Sequence, residues 1–185
     1  MTLLTTKTFG TARRASSLLA AIALACSVMI GVACNKTEAN YRDSVKNALD
    51  QADLKDVTVS EDGTKNTITL GGTLHSDDAK SRAANIAQAN AGPRIVANEI
   101  SVEPVGNESQ ARKVESNLDD GIENNCKAGL VSKGLDKQHI SCDAKNGVLT
   151  LKGSVKTPAE RKVAEQLAQN VPNVQQVVNE IQVRR

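Results

Sequence analysis

From Gly147 to Val183, GVLTLKGSVKTPAERKVAEQLAQNVPNVQQVVNEIQV, the spacing of apolar residues changes period twice. Leu149 and Leu151 alternate with Thr150 and Lys152, which predicts a half-buried strand. Val163, Ala164, Leu167, Ala168 and Val171 then fall on one helical stripe. Thr157 is placed to cap that helix, and Pro158 suits its first position, where a backbone N–H has no partner anyway. Asn170 to Asn173, with Pro172, end the helix, and Val177, Ile181 and Val183 resume strand alternation.

The same pattern stands 81 residues earlier without a gap from Thr69 to Val102. Gly72 falls on Gly153, and Thr69, Leu70, Ala83, Ala87, Gln88, Val96, Asn98, Glu99, Ile100 and Val102 fall on identical residues. Identities concentrated on core, glycine and turn positions at one offset mark a tandem repeat. The first copy, residues 41–103, reads as a helix over 41–55 with Val45, Leu49 and Ala52 inward, and a strand starting at Val57 and Val59. A hairpin through Asp62-Gly63, a strand over Thr67–Leu74, a helix over Asp77–Ala91 and a strand over Ile95–Val102 follow. Residues 104–110, PVGNESQ, read as a linker, and residues 111–185 as the second copy. Its opening helix, Ala111–Asp136, is longer than its counterpart, with Val114, Leu118 and Ile122 in a stripe that Asn124-Asn125 and Gly129 weaken. Cys126 is expected in the extra residues, Cys142 in the strand His139–Asp143, and the next hairpin at Asn146-Gly147.

The expected fold class is α+β: two small α-β-β-α-β domains, each a three-stranded mixed sheet with both helices on one face and the other face wet. Gly72 and Gly153 are expected at a bulge or a close pass of the following helix. Asn98 and Asn179, polar in an inward register, are expected to satisfy buried backbone groups near the helix end, with ligand contact as the alternative.

Residues 1–33 read as an export signal, with Lys7, Arg13 and Arg14 ahead of the uncharged run Leu18–Ala33. Ala15-Ser16-Ser17 follow the paired arginines where a twin-arginine signal wants bulky apolar residues, so ordinary secretion is the expected route. Gly31-Val32-Ala33-Cys34 resembles a bacterial lipobox, which implies lipidation of Cys34 and a tether over residues 34–40. Gly31 departs from the usual Leu, Val or Ile, and plain cleavage after Ala33 also fits. With Cys34 lipidated, Cys126 and Cys142 remain to pair in an oxidising compartment; two buried free thiols are the alternative. Asn35 leaves the periplasmic face of the outer membrane as the expected address, with the soluble periplasm as the alternative.

LTLKGSV, AERKVAEQLAQNV and VVNEIQV, matched by ITLGGTL, AKSRAANIAQAN and IVANEISV, resemble the BON domain (bacterial OsmY and nodulation). The resemblance covers nearly all of residues 41–184 in two copies. It implies an envelope protein of maintenance or osmotic-shock response, whose second domain reads anionic phospholipid. The first copy departs from the second at Asn90-Ala91-Gly92-Pro93 against Val171-Pro172-Asn173-Val174.

Charge and chemistry narrow the function classes. Of 23 basic residues three lie in the leader, leaving 20 against 21 acidic ones, which argues against a nucleic-acid binder. His75 and His139 do not recur between copies, and Cys126 and Cys142 lack neighbouring Cys or His for zinc. No phosphate loop or nucleophile elbow is present, so no enzyme, cofactor, metal or small-molecule substrate is expected. Lys152, Lys156, Arg161, Lys162, Arg184 and Arg185 gather in the second copy, with Lys127, Lys133 and Lys137 upstream. They are candidates for binding an anionic phospholipid surface. The alternative is a scaffold docking an envelope protein through its sheet face or edge.

Overall fold

Asn40 opens the first repeat by accepting the Asp43 N–H, the cap that starts helix α1, Tyr41–Gln51. Residues 40–184 are described in this computed structural model; the leader, Cys34 and Arg185 lie outside them. Strands β1 (Val57–Asp62) and β2 (Thr67–Leu74) pair antiparallel. Helix α2 (Asp77–Asn90) crosses over to β3 (Ile95–Asn98) and β4 (Ser101–Val102), both parallel to β2. Helix α3 (Glu108–Ser132), β5 (His139–Lys145), β6 (Val148–Val155), α4 (Pro158–Gln169), β7 (Gln176–Asn179) and β8 (Gln182–Val183) repeat the order with the same pairing. The fold is α+β, two mixed sheets each served by two helices.

The last strand of each repeat, expected to be continuous, is broken at Glu99-Ile100 and Glu180-Ile181, so each sheet has four strands. The register is the same on both sides of the break, and it lies opposite the kink at Gly72 or Gly153. The approach that makes these glycines necessary comes from the preceding segment, not from the following helix. Both have positive φ, and a Cβ would run into the carbonyl of Asp56 or of His139.

Val45, Leu49, Val57, Ile68, Leu70, Ala83, Ala87 and Ile100 fill the first core. Ile122, Cys126, Leu130, Cys142, Leu149, Leu151, Ala164, Ala168 and Ile181 fill the second. Cys126 and Cys142 are disulfide-bonded across α3 and β5. Cys126 does not belong to extra residues: Ile122, Cys126 and Leu130 take the places of Tyr41, Val45 and Leu49, 81 residues on. The extension is the first half of α3, which begins at Glu108, inside the segment expected as linker. Asn124-Asn125 and Gly129 leave α3 unbroken, because Ile122, Cys126 and Leu130 anchor its buried stripe. Val114 and Leu118 are exposed instead of continuing that stripe into a core.

The described residues of both repeats belong to one compact unit, so the repeats are joined. Ala97, Val148 and Val178, on the sheet faces away from the helices, make a small shared cluster, and Thr67 and Thr150 are buried. The outer faces are therefore not wet throughout. Gln176 bridges the adjacent strands β3 and β7: its Oε1 accepts the Asn98 N–H at 3.2 Å and its Nε2 donates to the Val96 carbonyl. Glu115 accepts the Val102 N–H and the Ser101 hydroxyl, while Asp119 accepts the N–H groups of Asn146 and Gly147. The first half of α3 thus ties β4 to the β5–β6 turn. Lys80 donates to the Asn146 carbonyl at 3.1 Å, and burial at this junction lowers its pKa despite nearby Glu115, Asp77 and Asp119.

Candidate functional site

Helices α3 and α4 of the second repeat leave an open trough of about 690 Å³ between them. Gly129, Val163, Leu167, Val171 and Pro172 line it together with polar Asn125, Ser132, Gln166 and Asn170 and with Lys133. Thr157 starts α4 with a reciprocal cap: its hydroxyl accepts the Glu160 N–H, and the Glu160 carboxylate accepts the Thr157 N–H. Gly129 lets Leu167 lie directly on α3, where a Cβ would collide with it. Val163, expected inside the stripe, is 37% exposed, and Val131 is 61% exposed.

The first repeat carries different residues at the matching positions. Ala48 stands in the place of Gly129, Arg82 in that of Val163 and Asp50 in that of Val131. Arg82 donates to the Ala52 carbonyl at 3.0 Å, laying a guanidinium across the gap between the helices. Lys133 and Lys162 replace Ala52 and Ser81. At these positions the second repeat therefore carries more apolar surface and more positive charge than the first. Glu123, one turn ahead of Lys127, accepts from Lys127 at 3.0 Å and from the Ala144 N–H, and these partners hold its pKa below the usual carboxylate range.

The basic residues singled out in the sequence do not form one patch. Lys152 alternates with the inward Leu151 and meets Asp143 at 2.7 Å on the sheet face away from the helices. Lys162 is exposed on α4, and Lys156 is exposed in the turn before it. Arg161 donates to the Asn179 carbonyl at 3.2 Å. Arg184 is exposed beyond β8, and Arg185 lies outside the described residues, as does Cys34. Lys133 is exposed at the end of α3, and Lys137 is exposed in the connection from α3 to β5.

Asn98 donates to the Lys80 carbonyl in α2, whereas its own Oδ1 is buried without a partner. Asn179 differs: it donates to the Glu165 carboxylate and accepts the Ile181 N–H, so it spans the break between β7 and β8. His75 is exposed and contacts the Glu103 carbonyl, and His139 is exposed at the start of β5. The trough escapes periodicity because Val163 and Leu167 fit a core stripe equally well. Comparing the two copies position by position at Ala48/Gly129 and Arg82/Val163 is the signal that finds it. Among the described residues no helix is long and apolar enough to cross a membrane.

Comparison with known proteins agrees with the repeat. The model of the BON domain matches residues 37–104 and again 118–185, one repeat length of 81 residues apart. No match to a curated protein is found. Among solved structures, one similar chain is the C-terminal domain of CdsD, a structural protein of the type III secretion system of Chlamydia trachomatis. It is 12% identical, covers 80% of this chain and 99% of that one, and has a TM-score of 0.33. A second CdsD structure is 13% identical over 77% and 91% of the two chains, also with a TM-score of 0.33. The two family matches together span most of the sequence, and the chain belongs to the BON domain family, with two of its domains in tandem.

Proposed function

We propose that the chain is a non-catalytic envelope protein that binds anionic phospholipid surfaces through the helical face of its second BON domain. The observation that carries this reading is the trough lined by Gly129, Val163, Leu167 and Lys133, where the first repeat has Ala48, Arg82, Ile86 and Ala52, with Lys162 exposed on the same helix as Val163. Exposed Val131 and Val163 supply apolar surface to the interfacial region, and each lysine near an anionic surface contributes about 1 kcal/mol. In this reading Cys34 is the lipidated tether at the periplasmic face of the outer membrane, where the protein serves envelope maintenance under osmotic stress.

The β1 and β5 edges offer little to a docking strand, which disfavours a strand-adding partner there. Lys46 donates to the Val57 carbonyl and Arg42 to the Val59 carbonyl along β1, and Glu123 accepts the Ala144 N–H along β5. Flotation with anionic and zwitterionic vesicles, using a form starting at Asn35, tests the reading. Salt-sensitive flotation with anionic vesicles alone is expected, and the K133E/K162E variant should lower the partition coefficient by at least about thirtyfold, the worth of the two lost lysines alone. K152E, on the opposite face, should float as the parent does. Equal losses for K152E and K133E/K162E would sink the trough as the reader.

A further inference from the structure

The first repeat carries, in its own chain, the cover of its last strand edge. In β4 the Val102 N–H points away from β2 and is accepted by Glu115 of α3 at 3.0 Å. Three residues earlier on the same helix, Arg112 pairs with Glu103 at 2.7 Å. Under this cover Ser101 and Glu103 are 8% and 6% exposed. The second sheet repeats the geometry: Ser154 and Val155 pair with Gln182 and Val183 as Thr73 and Leu74 pair with Ser101 and Val102. The Arg184 N–H donates to the Val155 carbonyl as the Glu103 N–H donates to that of Leu74. The Val183 N–H therefore points outward too. Among the described residues no helix covers it, and Gln182, Val183 and Arg184 are all exposed.

The charge at this edge is inverted. Arg184 replaces Glu103, and Lys156 replaces His75, which contacts the residue 103 carbonyl in the first repeat. We propose that the β8 edge is a docking site for an acidic amphipathic helix of a partner protein. That helix carries two carboxylates three residues apart. One accepts the Val183 N–H as Glu115 accepts that of Val102, and the other faces Arg184 where Arg112 faces Glu103. Apolar residues beside them cover Val183. Three residues along a helix is the spacing that sets two side chains on one face, and opposite charges across the contact set its register.

The partner's chemistry defines the probe. A fluorescein-labelled peptide of residues 108–121 bearing Arg112→Glu, held helical by a lactam bridge on its far face, is titrated into the full chain by fluorescence anisotropy. The unaltered peptide, bridged in the same way, is the comparison. The R112E peptide is expected to bind about five- to tenfold more tightly, and the R184E variant should reverse the preference. Circular dichroism of R184E, altered only at an exposed position, checks that the fold is kept. Equal affinity for the two peptides, no change in R184E, or no binding of the R112E peptide each overturns the proposal. It does not rest on the membrane reading, since R184E leaves the trough intact, and vesicle flotation of the same variant separates the two.

Discussion

A single methyl group is enough to test the local geometry of this fold. Gly153 has φ +116°, and its missing Cβ leaves room for the His139 carbonyl of the neighbouring strand. Gly153→Ala should cost roughly 2–3 kcal/mol through strain and collision together, read as a lower urea midpoint with an unchanged slope. The need for glycine at 72 and 153 is legible, because both copies place it after the same Leu-x pair. What approaches it is not, because that depends on how the hairpin is registered. The first hairpin closes with four residues, Gly63 to Asn66, and the second with two, Asn146 and Gly147 at positive φ. The asparagines were legible in the same partial way: Asn98 and Asn179 occupy matching positions, yet one binds a helix carbonyl and the other a carboxylate.

Helices and strands were legible where their cause is local. Alternation around Leu149 and Leu151, the Thr157-Pro158 start and the Gly92-Pro93 stop all depend on residues within one turn or pleat. Helix α3 was legible as one long helix, but its start at Glu108 and the firmness of its second half were not, because the latter depends on tertiary burial; Gly129 costs about 1 kcal/mol of helix propensity, which the packing of Cys126 and Leu130 outweighs. The disulfide belongs to the same scale. Cys126 stands where the first repeat has Val45, and Cys142 pairs with Leu151 in β6 as Val59 pairs with Leu70 in β2. A Cys126→Val/Cys142→Val variant should therefore fold with a valine pair like the first repeat's. It should lose about 3 kcal/mol, the worth of cross-linking two positions 16 residues apart, seen as a lower Tm that reductant no longer changes.

For the molecule as a whole, the joint between the repeats was the part least legible, since Gln176 and Ala97 carry no pattern until the two sheets are brought together. Gln176→Ile, the residue found at the matching Ile95, removes both bridging bonds and strands the Asn98 N–H. The joint should weaken by about 1–3 kcal/mol, with faster hydrogen exchange at the Asn98 amide and no change at the amides of the α4 cap. One further consequence follows from α3. Glu115, Asp119, Ile122, Cys126 and Leu130 lie on a single stripe of this helix: the first two clasp the joint, and the last three plug a core. An α-helix turns about 100° per residue, so inserting one residue between Asp119 and Ile122 would set the two halves out of phase, and one set of contacts would be lost. Two extra turns, about seven residues, would restore the phase but part the repeats by about 10 Å. Helix α3 is thus keyed like a shaft, and tolerated length changes at this point are counted in turns, not in residues.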